Sequence, residues 1–273
     1  MTESLISGGA PRREPMFFVP FVVTALVVTL LAIHAVVSQI GVASQNAVVR
    51  DLAFIPGRLT LAIWPDRLVD LLARVNADPI ALEQAEALRY FHVPLGGVWT
   101  LLTYALLHGS WAHVAINSVW LVAFGPPVAR RFGSLRFLLF FAMTAIAGGL
   151  AHWAANPMDA SPLIGASAAD SGLMAAAARF IFQPGAALSG RRDVSRLVVE
   201  ADDERRTPSL LQLLGQRRAL VFIAIWMATN FIFGAGAQAL GASDAPVAWI
   251  AHVGGFLAGL LAFPLFDRPR GRS

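Results

Sequence analysis

Long apolar runs separated by short polar breaks dominate this chain. The first covers residues 16–37, just after Arg12 and Arg13. A helix needs about 20 apolar residues to cross a bilayer. The run is too long for a signal-peptide core and no small-residue cleavage site follows it, so it is read as a retained span. Further runs cover 98–128 (broken by HGS at 108–110), 135–155, 161–182, 219–239 and 247–266. This pattern predicts an all-α membrane protein, a bundle of six transmembrane helices over 16–266, with terminal tails at 1–15 and 267–273. Two longer polar segments interrupt it. The first, an external loop of about 38–97, contains a stretch (59–75) with apolar residues near helical period and charges opposite. That stretch suits either a helix lying on the membrane surface or a small packed helical loop. The second, about 184–218, is loop-like and arginine-rich, with a short amphipathic turn at 210–214.

Composition agrees with the pattern. Apolar residues make up 56% of the chain and charged residues 14%, against about a quarter charged in soluble domains. Cysteine is absent, which excludes disulfides, thiol catalysis and cysteine-held metals. All basic side chains are arginine, and no basic stripe interleaves with aromatics, so no nucleic-acid partner is expected. The arginines read instead as topology signals. They gather before the first span, after the second, after the fourth and in the C-terminal tail, and the short loops after the third and fifth have none. By the positive-inside rule both termini are cytoplasmic; the arginines of the long external loop count little. Anionic lipid headgroups are the natural contact for the loop after span four.

Polar groups at membrane depth are expensive and call for a reason. Three clusters stand out: HGSWAHVAIN with His108, His113 and Asn117; GASAADSG with Gly165, Ser167, Asp170 and Ser171; and AHVGGFLAG with His252, Gly255 and Gly259. His113 and Asn117 share a helix face, as do His252 and its two glycine notches, which allow close helix approach. Ser167 and His252 each fall about five residues into their spans from the external side, roughly 8 Å deep, and His113 and Asn117 lie near that level. A hydroxyl, an imidazole and an amide at one depth suit nucleophilic acyl transfer. His252 would be the base for Ser167. Asn117, His113 and the Ser167 backbone N–H would serve a developing oxyanion. Asp170 would either supply a counter-charge to His252 or stand as a protonated carboxyl bonded to a neighbouring helix. Of the remaining polar groups, Asn230 reads as an interhelical bond, His108 as a structural partner, and His34, His92 and His152 as local. No HExxH or comparable ligand spacing occurs, so no metal or other cofactor is expected.

These three motifs in spans two, four and six resemble the rhomboid intramembrane serine proteases, over about residues 97–266. The resemblance implies a Ser167–His252 dyad, with His113 and Asn117 on the oxyanion side; Gly165 and Asp170 are candidate supporting positions beside it. It further implies a multi-pass protein of a bacterial inner (plasma) membrane that cuts single-span membrane proteins within the lipid bilayer. Four positions depart from the family pattern: Ala168 for glycine, Ser171 for an aromatic, Thr100 for the arginine of a Trp-Arg pair, and Ala129 for glutamate. Two other readings stay open. One is an inactive relative that binds membrane helices; the other is a transporter using Asp170 and the histidines as a proton relay. Oligomeric state is not legible.

Overall fold

The computed structural model describes residues 19–74, 79–90, 94–182, 209–232 and 248–267. The expected tail 1–15, residues 184–208, the end of the fifth apolar run, His92 and all of the C-terminal tail but Asp267 lie outside the described residues.

Among the described residues the fold is helical, with one isolated antiparallel bridge between Phe54 and Leu163. Four helices are long and apolar enough to cross a membrane: α1 (Phe21–Gln39), α7 (Trp111–Phe132), α8 (Ser134–Ala155) and α12 (Trp249–Phe266). α9 (Ser167–Ile181) sits among α7, α8 and α12, and residues 168–179 are all buried. A helix covered on every side needs small residues where backbones meet. Ala168 and Gly172 of α9 meet Gly255 and Gly259 of α12, where an added Cβ would strike the Ala168 and Gly172 carbonyl oxygens. On the opposite side of the bundle, α1 lies against α7, with Val23 packed on Gly125. Gly133, at φ 79°, turns α7 into α8. The apolar core runs through Val23, Leu30, Leu121, Phe137, Phe140, Leu173 and Phe263. α11 (Arg217–Phe231) follows the short capped turn α10 (Leu210–Leu214) and stacks Trp226 on Phe256, ring centroids 4.2 Å apart.

The segment between α1 and α7 packs on itself rather than forming one surface helix. It contains α2 (Val42–Leu52), α3 (Pro56–Ile63), α4 (Arg67–Arg74), α5 (Pro79–Tyr90) and the short α6 (Thr100–Thr103). Pro65 lies in the break between α3 and α4, so of the two readings of 59–75 the packed helical loop is the one observed. Ile55, Leu71, Ala81, Ala85 and Leu88 form a small core of their own. Arg58 is buried in this loop, donating to the carbonyl oxygens of Arg50 and Ala53 and reaching the Thr100 hydroxyl at 3.5 Å. Burial pulls its guanidinium down to about 10, with Asp51 opposing. Thus Thr100, in the place of the expected arginine, has a guanidinium brought to it from α3.

The fourth helix begins later than the apolar pattern predicts. Residues 161–166 are extended or bent, and Ser167 is the first residue of α9, not the fifth of a span. Backbone bonding holds the segment out of the helix. Leu163 exchanges hydrogen bonds with Phe54 at 2.7 and 3.2 Å, and the Gly165 N–H donates to the Tyr104 carbonyl oxygen at 3.0 Å.

Candidate active site

Three helix N-termini converge at one end of the bundle. α7 starts only after the HGS break, later than the expected run from 98: Ser110 is its cap, its hydroxyl accepting from the His113 N–H at 3.1 Å. His113 and Asn117 follow on the first two turns. α9 starts at Ser167, and His252 is in the first turn of α12. Each N-terminus carries unsatisfied N–H groups and the positive end of a helix dipole, a setting that favours developing negative charge.

Gly165 joins the first two of these elements. Its φ of +116° belongs to the region that favours glycine. A Cβ there would lie 2.6 Å from His113 Nε2 and 3.5 Å from Asn117 Nδ2. Both α7 side chains therefore press against the backbone two residues before Ser167. The Asn117 amide nitrogen is buried and has no hydrogen-bond partner among the described residues. His108 Nε2 faces the Ala166 N–H at 3.5 Å, and the His108 carbonyl oxygen accepts from His34 Nδ1 at 3.0 Å. His108 is thus a structural partner beside Ser167, as expected, whereas His34, read as local, bonds across to His108 on a distant stretch of the chain.

The half-buried Ser167 and His252 are joined directly: Ser167 Oγ lies 2.7 Å from His252 Nε2. The other ring nitrogen, Nδ1, lies 2.7 Å from Asn230 Oδ1 on α11. Asn230 Nδ2 donates to the Trp226 carbonyl oxygen at 2.9 Å. Asn230 does make the interhelical bond its sequence suggests, and the group at its other end is His252. Sequence reasoning missed that partner.

Asp170 is a correction. The sequence offers it as a counter-charge for His252 or as a carboxyl bonded to a neighbouring helix. The structure buries it in α9 with no hydrogen bond to either carboxyl oxygen among the described residues, and Asn230 occupies the Nδ1 position. Ser171 turns its hydroxyl back to the Ser167 carbonyl oxygen at 2.7 Å, so α9 offers the imidazole no ring. His152 is local, 3.4 Å from Asp159. Burial pushes the Asp159 carboxyl up, but hydrogen bonds from His152 and Ser161 outweigh this and hold it below its ordinary value.

Residues 95–268, more than half of the chain, match the family described as Rhomboid domain. Two proteins of Bacillus subtilis (strain 168) are similar over shorter stretches. One is named "Putative rhomboid protease YdcA": 37% identical over 78 residues, 29% of this chain and 39% of that protein. The other is named rhomboid protease GluP: 40% identical over 81 residues, 30% of this chain and 15% of that protein. The matched stretches span well under half of either relative. With its bundle of apolar helices and the matched stretch running from before α6 to beyond α12, the chain belongs to the rhomboid family.

Proposed function

We propose that this protein is an intramembrane serine endopeptidase that hydrolyses peptide bonds in or near the transmembrane helices of single-span membrane proteins. The 2.7 Å contact between Ser167 Oγ and His252 Nε2, on two helices packed backbone to backbone, carries the reading. A hydroxyl becomes a useful nucleophile when a base at this distance takes its proton. Ser167 Oγ attacks the scissile carbonyl carbon, its proton passes to His252 Nε2, and the carbonyl π electrons move onto oxygen. The Ser167 N–H at the start of α9, the unpartnered Asn117 Nδ2 and the His113 ring surround the space where that oxyanion develops. One such donor is worth roughly 100- to 1,000-fold in rate. Collapse breaks the C–N bond, His252 returns the proton to the leaving amine, and water repeats the sequence on the acyl-enzyme. Water reaches the site from the membrane surface at which α7, α9 and α12 begin. With six crossings and the arginine distribution above, that surface is external and both termini are cytoplasmic.

The test is cleavage of a single-span reporter in liposomes by wild type, Ser167→Ala and His252→Ala. Cleavage by wild type and by neither variant is the expected result. Cleavage that survives Ser167→Ala overturns the serine mechanism. A helix-binding relative without activity would cut nothing and leave Ser167 unlabelled by a fluorophosphonate.

A further inference from the structure

The dyad reading leaves the second nitrogen of His252 without a role, and the structure gives it a partner. We infer that Asn230 of α11 is a positioning residue, which fixes the tautomer and orientation of His252 so that Nε2 is the bare, proton-accepting nitrogen facing Ser167. This rests on the proposed hydrolase reading and extends it from a dyad to a relay across three helices.

The hydrogen-bond chain decides the proton positions. The Trp226 carbonyl oxygen can only accept, so the Asn230 atom 2.9 Å from it is the donating Nδ2. The amide is thereby oriented with Oδ1 towards His252 at 2.7 Å. An amide oxygen only accepts, so Nδ1 carries the hydrogen. In a neutral imidazole Nε2 is then the acceptor, and it meets the Ser167 hydroxyl. The opposite tautomer would set a bare nitrogen against the amide oxygen, losing that bond, and an N–H against the serine, which could then only accept and would have no base for its proton. Loss of the correct tautomer is a severe penalty in serine hydrolases of unrelated fold.

Among the described residues no other group in the site performs this task. Asp170 makes no bond to the imidazole, and Ser171 is committed to the Ser167 carbonyl oxygen. The titratable groups near His252 on other elements are His113 of α7 and His152 of α8, and neither bonds to its ring. The support for Asn230 is itself rigid. One turn earlier on α11, Trp226 stacks on Phe256 of α12, so the helix carrying Asn230 is docked to the helix carrying His252. A neutral amide also gives direction without burying a charge.

The experiment is the rate of Ser167 labelling by a fluorophosphonate across pH, with the protein folded in detergent. In that reaction the Oγ–P bond forms, the P–F bond breaks with loss of fluoride, and the serine proton goes to Nε2. It needs no knowledge of the natural substrate. Asn230→Ala is expected to lower the maximal labelling rate by up to about 100-fold, the low end of what a positioned base contributes, with probe affinity unchanged. Asn230→Asp keeps an acceptor at the same reach. It is expected to recover much of the rate and move the acid-side fall-off to higher pH, because a carboxylate beside the ring favours its protonated form. A purely structural tie between helices would lower thermal stability and leave both the rate and the pH profile of the folded fraction alone. Asn230→Ala labelling as fast as wild type, or Asn230→Asp with an unmoved acid limb, overturns the positioning role. If Asn230→Ala does not fold, the acid limb of Asn230→Asp decides alone. Folded wild type that never labels overturns the hydrolase reading itself, and this inference with it.

Discussion

Gly165 is the residue on which the backbone and the chemistry of the site meet. Its φ of +116° strains any other residue, and its missing Cβ leaves room for His113 Nε2, 2.6 Å from where that atom would sit. Gly165→Ala should therefore cost about 1–3 kcal/mol in strained backbone and push the α7 side chains away from Ser167. The expected outcome is a lower thermal midpoint together with slower fluorophosphonate labelling of the folded fraction. A variant that loses stability but labels at the wild-type rate would show that the His113–Asn117 face does not matter to the reacting serine. At this scale the sequence is legible where the chemistry is local. His113 and Asn117, four residues apart, announce a shared face. It is silent where the partner depends on the rotational phase of a distant helix. Asn230 and His252 are on different helices, and nothing in residue spacing says that α11 turns its amide towards α12. Asp170 misled for the converse reason: three residues from Ser167 on the same helix, it is close in sequence yet bonds to neither Ser167 nor His252.

Among the elements, α9 and α12 matter most, and their contact is made by absent side chains. The spacing of His252, Gly255 and Gly259 predicts a notched face, and the structure fits Ala168 and Gly172 of α9 into it. The start of α9 was not legible. Residues 161–166 are mostly apolar and read as the top of a span, but their backbone groups bond to Phe54 and to Tyr104, partners that no periodicity reveals. That error matters chemically. Starting the helix at Ser167 leaves the serine N–H free of intrahelical bonding and at the positive end of the dipole, which a position five residues down would not. The notch yields a sharp expectation. In Gly255→Ala the new Cβ meets the Ala168 carbonyl oxygen, backbone that cannot rotate away, so α12 must shift. Overpacking of this kind costs about 1–3 kcal/mol. Since His252 is less than one turn from Gly255, the shift should open the 2.7 Å contact with Ser167. Reporter cleavage should fall far more than stability does. A variant cleaving at the wild-type rate would mean that the two helices slide without moving the dyad.

Across the whole molecule, chemistry and anchoring lie at opposite ends of the same helices. Arg131, in the last turn of α7, makes a two-bond ion pair with Asp267, just past the end of α12, at 2.8 Å for each bond. Its guanidinium lies 4.9 Å from the Phe180 ring centroid and 5.4 Å from that of Phe263. Arg179 of α9 covers the same Phe263 ring at 5.0 Å and donates to the Leu260 carbonyl oxygen at 2.7 Å. This cluster ties α7, α9 and α12 together about 22 Å from His252, from the helical rise over the residues between. Both partners are largely buried, with side-chain exposures of 17% for Arg131 and 6% for Asp267. Removing one partner of such a pair strands the other charge and costs about 3–5 kcal/mol, whereas replacing both with apolar side chains is often nearly neutral. Asp267→Asn should accordingly lower the unfolding free energy by an amount near the bottom of that range, since the amide still accepts one bond. The double variant Arg131→Met with Asp267→Leu should recover most of the loss. The labelling rate of Ser167 in the folded fraction should be the same in all of them, because the shared helices transmit position only while both ends stay packed. A labelling rate that follows the thermal midpoint through this series would show that the anchoring end sets the alignment of the dyad, and that the two ends act as one unit.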